Sequence, residues 1–153
     1  MRTLNILLVD DDRNLVTTLS HGLRKAMGEG TSVAVCFGGS AALSLLGSQA
    51  FDVVVSDLNM PGPSGLEFLR RIRQDDPEMI LILATAYGTD ALEAGVRQLG
   101  GGYITKPFEP SSLVQMIRDM IQSGETKGSL ENASRMVDRL GKPAGSFSIV
   151  DWS

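Results

Sequence analysis

The sequence of 153 residues contains a single cysteine and no long apolar run. Because Cys36 stands alone, the chain cannot form an internal disulfide, and it cannot build a zinc site on cysteines. The longest nearly unbroken apolar run, Met79–Ala84, has six residues, whereas a membrane-spanning helix needs about 20. The opening residues pass straight into a short apolar run and three aspartates, unlike a secretory signal. We therefore expect a cytoplasmic protein without a membrane partner.

Positive charge is also scarce. Lysine and arginine number 14 against 18 aspartates and glutamates, so the formal net charge is −4. The chain as a whole lacks the positive field that nucleic-acid binding usually requires, and we expect no direct nucleic-acid partner. Apolar residues make up 42% of the sequence, which is enough to bury a core and excludes disorder as the main state.

Short apolar runs alternate with segments of helical periodicity over the first 122 residues. Most of the runs are continuously apolar, as is typical of strands that are buried on both faces. Five such units predict an α/β fold, a doubly wound five-stranded parallel sheet with helices on both faces. The predicted strands are Leu4–Val9, Ser32–Phe37, Asp52–Ser56, Met79–Ala84 and Gly102–Thr105, and the predicted helices are Asn14–Met27, Ser40–Leu46, Ser64–Gln74, Thr89–Leu99 and Ser111–Ile121.

The composition changes after the last predicted helix. A Ser- and Gly-rich stretch beginning at residue 123 reads as a linker, and residues 130–140 carry apolar side chains at helical spacing. We predict one domain over residues 1–122, followed by a linker and C-terminal extension over 123–153. The short helix of this extension is expected to dock on a face of this domain or of the same domain in a partner.

Several residues mark the ends of the predicted helices. Ser64 and Ser111 are predicted to cap two helix starts, with Pro110 near the first turn of the second. Gly28, Gly47 and Gly124 are predicted to mark helix stops. The run of three glycines at 100–102 is expected to add backbone freedom and to weaken the fifth strand.

Polar groups follow four of the five predicted strands. Asp10-Asp11-Asp12 follow the first strand, Asp57 the third, Thr85 the fourth and Lys106 the fifth. With a strand order of 2-1-3-4-5, these strands are neighbours and their carboxyl ends meet in one crevice. Clustered carboxylates repel one another unless positive charge lies among them, and Mg²⁺ prefers such oxygen ligands. A carboxylate nucleophile, a metal, a hydroxyl and an ammonium group together indicate phosphoryl transfer.

At these residues the sequence resembles the receiver domain of bacterial two-component response regulators. The resemblance covers about residues 3–122 and implies a flavodoxin-like fold with the 2-1-3-4-5 strand order. Each motif is weak alone, but the four together, in family order at strand ends, are specific. The motifs are Leu7-Leu8-Val9-Asp10-Asp11-Asp12, Val54-Val55-Ser56-Asp57-Leu58-Asn59-Met60-Pro61-Gly62 with Gly65, Leu83-Ala84-Thr85-Ala86-Tyr87, and Tyr103-Ile104-Thr105-Lys106-Pro107-Phe108.

The resemblance implies a phosphoacceptor and a magnesium site. Asp57 would accept a phosphoryl group from a phosphohistidine of a sensor kinase or phosphotransfer protein. Asp11 and Asp57 would bind Mg²⁺ directly, together with the backbone carbonyl of Asn59, and Asp10 would act partly through water.

The resemblance also implies a switch. Thr85 and Lys106 would hold phosphoryl oxygens, and Thr85 with Tyr103 would relay the change to the surface of helix four, strand five and helix five. The bond between Lys106 and Pro107 would be cis. The chain would then be a signalling switch rather than an enzyme, with chemistry confined to its own phosphorylation and dephosphorylation.

The resemblance leaves the partners open. A downstream protein would read the switch, or an output domain would be joined to it in a larger regulator, and phosphorylation could drive formation of a homodimer. The sequence names neither the kinase nor the target.

A haloacid-dehalogenase-like phosphatase is the enzyme alternative. It would use Asp10 as nucleophile, with Asp12, Thr85 and Lys106 in supporting roles. Against it, Asn14 stands where that family usually has Thr or Val, and the motif around Asp57 would be unexplained.

Simpler structural roles suit other polar residues. Asp12 is predicted to cap the first helix, and Cys36 is predicted to be a small buried apolar residue of the second strand. Arg70, Arg71 and Arg73 are predicted to form a solvated helix face.

Overall fold

The computed structural model describes residues 3–57 and 64–126. Within these ranges the chain alternates strictly between strand and helix. The strands are β1 (Leu4–Val9), β2 (Thr31–Cys36), β3 (Val53–Asp57), β4 (Ile80–Thr85) and β5 (Gly102–Thr105), and the helices are α1 (Arg13–Met27), α2 (Gly39–Ser48), α3 (Gly65–Asp75), α4 (Asp90–Gln98) and α5 (Pro110–Thr126).

The five strands form one parallel sheet in the order β2-β1-β3-β4-β5. This confirms the predicted α/β class and the predicted strand order. The strand order changes direction between β1 and β3, because β2 lies on one side of β1 and the later strands lie on the other. The ligand crevice of such a sheet lies beyond the carboxyl ends of the strands at this point.

Two hydrophobic clusters lie on opposite faces of the sheet. In β1, Leu7 and Val9 belong to one cluster, while Ile6 and Leu8 belong to the other. This division follows from the period of two along a strand, which sends successive side chains to opposite faces. Helices α2, α3 and α4 cover the first cluster, and α1 and α5 cover the second. Both faces are therefore buried, as the continuous apolar runs predict.

Two predicted helix caps are confirmed and one is wrong. The side chain of Asp12 accepts from the Leu15 N–H at 3.1 Å, and that of Ser64 accepts from the Glu67 N–H at 3.3 Å. Ser111, by contrast, is the second residue of α5, because the helix begins at Pro110. Proline suits the first helical position, since its ring presets φ and its missing N–H has no partner there in any case.

Two of the three predicted helix stops are also wrong. Gly28 does end α1, with φ of 88°. Gly47 and Gly124, however, lie inside α2 and α5, because an internal glycine costs a helix only about 1 kcal/mol and does not force it to end. Helix α5 continues to Thr126, so the predicted boundary at residue 122 falls within this helix. The remaining predicted extension, 127–153, lies outside the described residues.

The junction between α4 and β5 is ordered rather than loose. Gly100 has φ of 71°, its N–H donates to the Arg97 carbonyl, and the Gly101 N–H donates to the Val96 carbonyl. This pair of bonds is the Schellman motif, which satisfies the last carbonyls of a helix. At Gly102 an added Cβ would lie 3.0 Å from the sulfurs of Met116 and Met120. The glycines here fit a tight turn and close packing, while their effect on the stability of β5 stays a prediction.

Arg73 is not part of a solvated face, which corrects the prediction for this residue. Arg70 is exposed as predicted, but Arg73 is only partly exposed. Its Nε donates to the Leu99 carbonyl at 2.7 Å, which ties the end of α3 to the end of α4. Its Nη1 also donates to the carbonyls of Asp76, Pro77 and Met79 at 3.2, 2.9 and 2.8 Å.

Among the described helices, none combines the length and apolar character that crossing a membrane requires.

Candidate functional site

Four polar residues lie at the carboxyl edge of the sheet. Asp57 is the last residue of β3 and Thr85 the last of β4, while Asp10 and Lys106 directly follow β1 and β5. The order of the strands makes neighbours of segments that lie far apart in the sequence. The backbone also joins the last two strands at this edge, because the Lys106 N–H donates to the Thr85 carbonyl at 2.9 Å.

Three carboxylates form the acidic part of the crevice. Asp10, Asp11 and Asp57 each offer an oxygen, and these oxygens lie within 4.8 Å of one another. Asp10 and Asp57 are buried, with 5% and 8% of their surface exposed, whereas Asp11 is exposed. Buried carboxylates at this spacing repel one another, so the site favours a cation.

Lys106 lies between the two buried carboxylates. Its Nζ is 2.5 Å from Oδ2 of Asp10 and 3.2 Å from Oδ1 of Asp57. Burial alone would lower the pKa of Lys106. The hydrogen bond and the charge of Asp10, with smaller contributions from Asp57, outweigh burial and raise this pKa above its ordinary value. The lysine is therefore a permanent positive charge in the crevice at neutral pH.

The three consecutive aspartates have different surroundings. The Asp12 N–H donates to Oδ1 of Asp10 at 2.9 Å, which fixes the carboxylate of Asp10 beside Lys106. Asp12 turns its own carboxylate to the start of α1, as predicted, and it is not a member of the acidic cluster. Asp11 is left as the exposed member of the cluster, facing the open side of the crevice.

Thr85 is fully buried, with 0% of its surface exposed. Its hydroxyl oxygen accepts from the Tyr87 N–H at 3.1 Å, so its proton can still be donated to an oxygen in the crevice. Tyr103 lies on β5, next to β4, and pairs in register with Leu83. Its ring is partly buried against the cluster that α2, α3 and α4 cover.

The peptide bond between Lys106 and Pro107 is cis, as the resemblance implies. Asn59, the remaining predicted ligand, lies outside the described residues.

Sequence reasoning missed the roles of two residues: Gly88, which lies in this region, and Arg73, which lies at the opposite edge of the sheet, where β4 begins. Gly88 adjoins the Tyr103 hydroxyl, and nothing in the sequence distinguishes it from an ordinary loop glycine. Arg73 had a detectable signal, because a basic residue in the last turn of a helix can bind carbonyls near the helix end.

Comparison with known proteins assigns the chain to a family. Residues 6–118 match the response regulator receiver domain, and the chain belongs to this family. Receiver domains of response regulators are signalling switches of two-component systems rather than classical enzymes, and they interact with histidine kinases and downstream effectors. The phosphatase alternative gains no support from these matches.

Two curated relatives illustrate the similarity. The response regulator protein FleR of Pseudomonas aeruginosa is 38% identical over 142 residues, which are 88% of this chain and 29% of FleR. The DNA-binding response regulator MtrA of Mycolicibacterium smegmatis is 35% identical over 120 residues, which are 78% of this chain and 51% of MtrA. The chain thus spans about half or less of these relatives.

Solved structures show the same architecture. The BeF3-activated receiver domain of DrrB is 30% identical, with a TM-score of 0.70, covering 78% of this chain and 98% of that one. A CheY-like receiver domain protein from Methanospirillum hungatei has a TM-score of 0.74 at 24% identity, covering 82% and 99%. At that identity the second comparison supports the fold alone.

Proposed function

We propose that the chain is a phosphorylation-controlled switch in which Asp57 is the phosphoacceptor. The observation that carries this proposal is the position of Asp57, which is buried at the end of β3 with Lys106 at 3.2 Å. A carboxylate oxygen of Asp57 would attack the phosphorus of a phosphohistidine on a sensor kinase or phosphotransfer protein. The P–O bond forms as the P–N bond breaks, and the electron pair of that bond returns to the imidazole, which takes up a proton.

The acidic cluster fits a magnesium ion. Three carboxylates within 4.8 Å of one another form a set of hard oxygen donors, and Lys106 is the one lysine among the described residues that forms an ion pair with them. In our proposal Asp11 and Asp57 bind Mg²⁺ directly, Asp10 binds through water, and the Asn59 carbonyl supplies a further ligand. The ion would supply positive charge to the phosphoryl oxygens during transfer.

Lys106 and Thr85 would provide the remaining stabilisation. Lys106 is already held beside Asp57, so its ammonium group can follow a phosphoryl oxygen with a small movement. The Thr85 hydroxyl accepts from the Tyr87 N–H and keeps its own proton, which it would donate to a second phosphoryl oxygen. Electrostatic stabilisation by groups that are held in advance costs little reorganisation.

The output would run through Thr85 and Tyr103. A change at the Thr85 hydroxyl would alter the loop that follows β4, because this hydroxyl accepts from the Tyr87 N–H. The Tyr103 ring packs against the hydrophobic cluster that includes Leu83 of β4. We propose that the ring responds to this change and repacks the surface formed by α4, β5 and α5. Physically, a local charge biases an element that has two arrangements.

The remaining assignments follow from this function. We propose a cytoplasmic phosphoprotein that acts on a downstream protein or on an output domain of a larger regulator, without binding nucleic acid itself. Residues 123–153 are proposed to be an extension of the receiver domain, and a phosphorylation-dependent homodimer is a further proposal. Size measurement before and after activation tests the homodimer.

Exposure to beryllofluoride, which mimics a phosphoryl group on a carboxylate, tests the proposal. We expect it to bind wild-type protein only when Mg²⁺ is present, and we expect Asp57→Asn to abolish binding. Asp119→Asn is the control, because Asp119 is exposed on α5. Unchanged binding in Asp57→Asn would overturn the assignment of the phosphoacceptor.

A further inference from the structure

Gly88 lies where the two proposed switch residues come together. A Cβ placed on Gly88 would lie 1.3 Å from Oη and 2.7 Å from Cζ of Tyr103, and 3.3 Å from Cγ2 of Thr85. Separations below about 3 Å do not occur between such atoms, so the Tyr103 ring occupies the space that any side chain at position 88 would need.

The backbone of Gly88 does not itself require glycine. Among the described residues, only Gly28 and Gly100 have positive φ. Alanine can therefore adopt the conformation found at position 88. The main obstacle to a side chain is Tyr103, and the 3.3 Å contact with Cγ2 of Thr85 is tight but needs a shift of only a few tenths of an ångström. Gly22 is also crowded by a neighbour, Pro110, but that contact joins α1 to α5 and lies outside the switch.

We propose that the absence of a side chain at Gly88 is what permits the Tyr103 ring to occupy its packed position. The consequence for signalling rests on the proposed function, whereas the position of the ring does not.

A side chain at position 88 would displace the Tyr103 ring rather than the sheet. Thr85 is fully buried at the end of β4 and fixed by backbone pairing, while Tyr103 is partly exposed and its side chain turns about two single bonds. An alanine at position 88 would move the ring out of its packed position. The fold would persist, because the acidic crevice and both hydrophobic clusters would keep their other contacts.

The two tyrosines of the sequence allow a direct test. Tyr87→Phe leaves Tyr103 as the only tyrosine, so fluorotyrosine incorporated into the full chain gives one ¹⁹F NMR signal from this ring. The signal is recorded without phosphodonor, metal or beryllofluoride, and its solvent isotope shift reports how much of the ring is exposed. Gly95→Ala is the matched control, because its Cβ would meet Leu66 at an ordinary distance of 3.4 Å.

We expect Gly88→Ala to move the signal and to raise its isotope shift toward that of the unfolded chain, while Gly95→Ala leaves both unchanged. A Gly88→Ala signal identical to that of the parent would overturn the proposal. If Gly88→Ala does not fold, adding Tyr103→Ala should restore folding, and failure to restore it would also overturn the proposal. Failure of Asp57 to bind beryllofluoride would contradict the proposed function alone, since the ring is measured without it.

Discussion

Replacing Lys106 by methionine should destabilise the protein, because the carboxylates of the crevice would then repel one another without a neighbouring positive charge. The side chain keeps its length and apolar stem, but the charge between Asp10 and Asp57 is lost. The carboxylates of the cluster lie within 4.8 Å of one another, and two unit charges at that distance repel by about 3 kcal/mol at an effective dielectric constant of about 20. The affected side chains are only 8 to 17% exposed, so solvent screens this repulsion incompletely.

A second estimate gives a similar magnitude. Removing one partner of a buried ion pair typically costs about 3–5 kcal/mol. Because the crevice opens to water beside Asp11, we expect the lower end of this range. Lys106→Met should therefore lower the free energy of unfolding by about 3 kcal/mol in the presence of a chelator. Saturating Mg²⁺ should restore about half of this loss, because it returns positive charge to the same carboxylates.

Urea unfolding followed by circular dichroism measures both quantities. Lys25→Met is the control, because Lys25 is exposed on α1, and it should change the free energy by less than about 0.5 kcal/mol. Adding Asp10→Asn to Lys106→Met should recover part of the stability, since it removes one of the repelling charges. A loss below about 1 kcal/mol in chelator, or the same loss with and without Mg²⁺, would refute the reasoning.

Three further predictions concern the charge of Lys106, the proposed Mg²⁺ ligands and the hydrogen bonds of Arg73. The pKa of Lys106 is raised in the folded state, so the contribution of Lys106 to stability should stay constant from about pH 6 to 9 and fall as pH rises past the ordinary value of 10.5. The difference in unfolding free energy between wild type and Lys106→Met measures this contribution. A decline of this difference below about pH 9 would contradict the prediction. Asp11→Asn should weaken Mg²⁺ binding at least about tenfold in calorimetric titration, because Asp11 belongs to the acidic cluster. Asp12→Asn should leave Mg²⁺ binding nearly unchanged, because Asp12 caps α1 and asparagine can also cap a helix. Equal effects of the two substitutions would count against the assignment of Asp11. Arg73→Lys should lower the free energy of unfolding in urea by about 2 kcal/mol, because an ammonium group cannot reach all four carbonyls that the guanidinium group binds. A decrease no larger than that of Arg70→Lys would refute this prediction.

The elements of the sheet were predictable because their signal is local. Continuous apolar runs identify strands that are buried on both faces, and the predicted strand boundaries agree with the observed ones to within one residue. Polar groups directly after strands, such as Asp57 and Lys106, were predictable for a related reason. Parallel strands bring their carboxyl ends to one edge, so the sequence order of the strands indicates which residues meet.

The remaining features depend on contacts between distant segments. The position of Arg73 in the last turn of α3 indicates that it can bind carbonyls of its own helix end, but only the approach of Leu99 shows that it also binds the end of α4. The glycines after α4 indicate freedom when read alone, but the carbonyl of Val96 gives Gly101 a fixed place. Gly88 likewise acquires meaning only from the ring of Tyr103, which is supplied by another strand.

Locating the phosphoryl group after reaction with a small acyl phosphate and Mg²⁺ tests the central claim most directly. Borohydride reduction converts a phosphoaspartate into homoserine, and mass spectrometry of the resulting peptides identifies its position in the sequence. We predict homoserine at position 57 alone, and none in Asp57→Asn. Homoserine at position 10, or modification that persists in Asp57→Asn, would contradict the account.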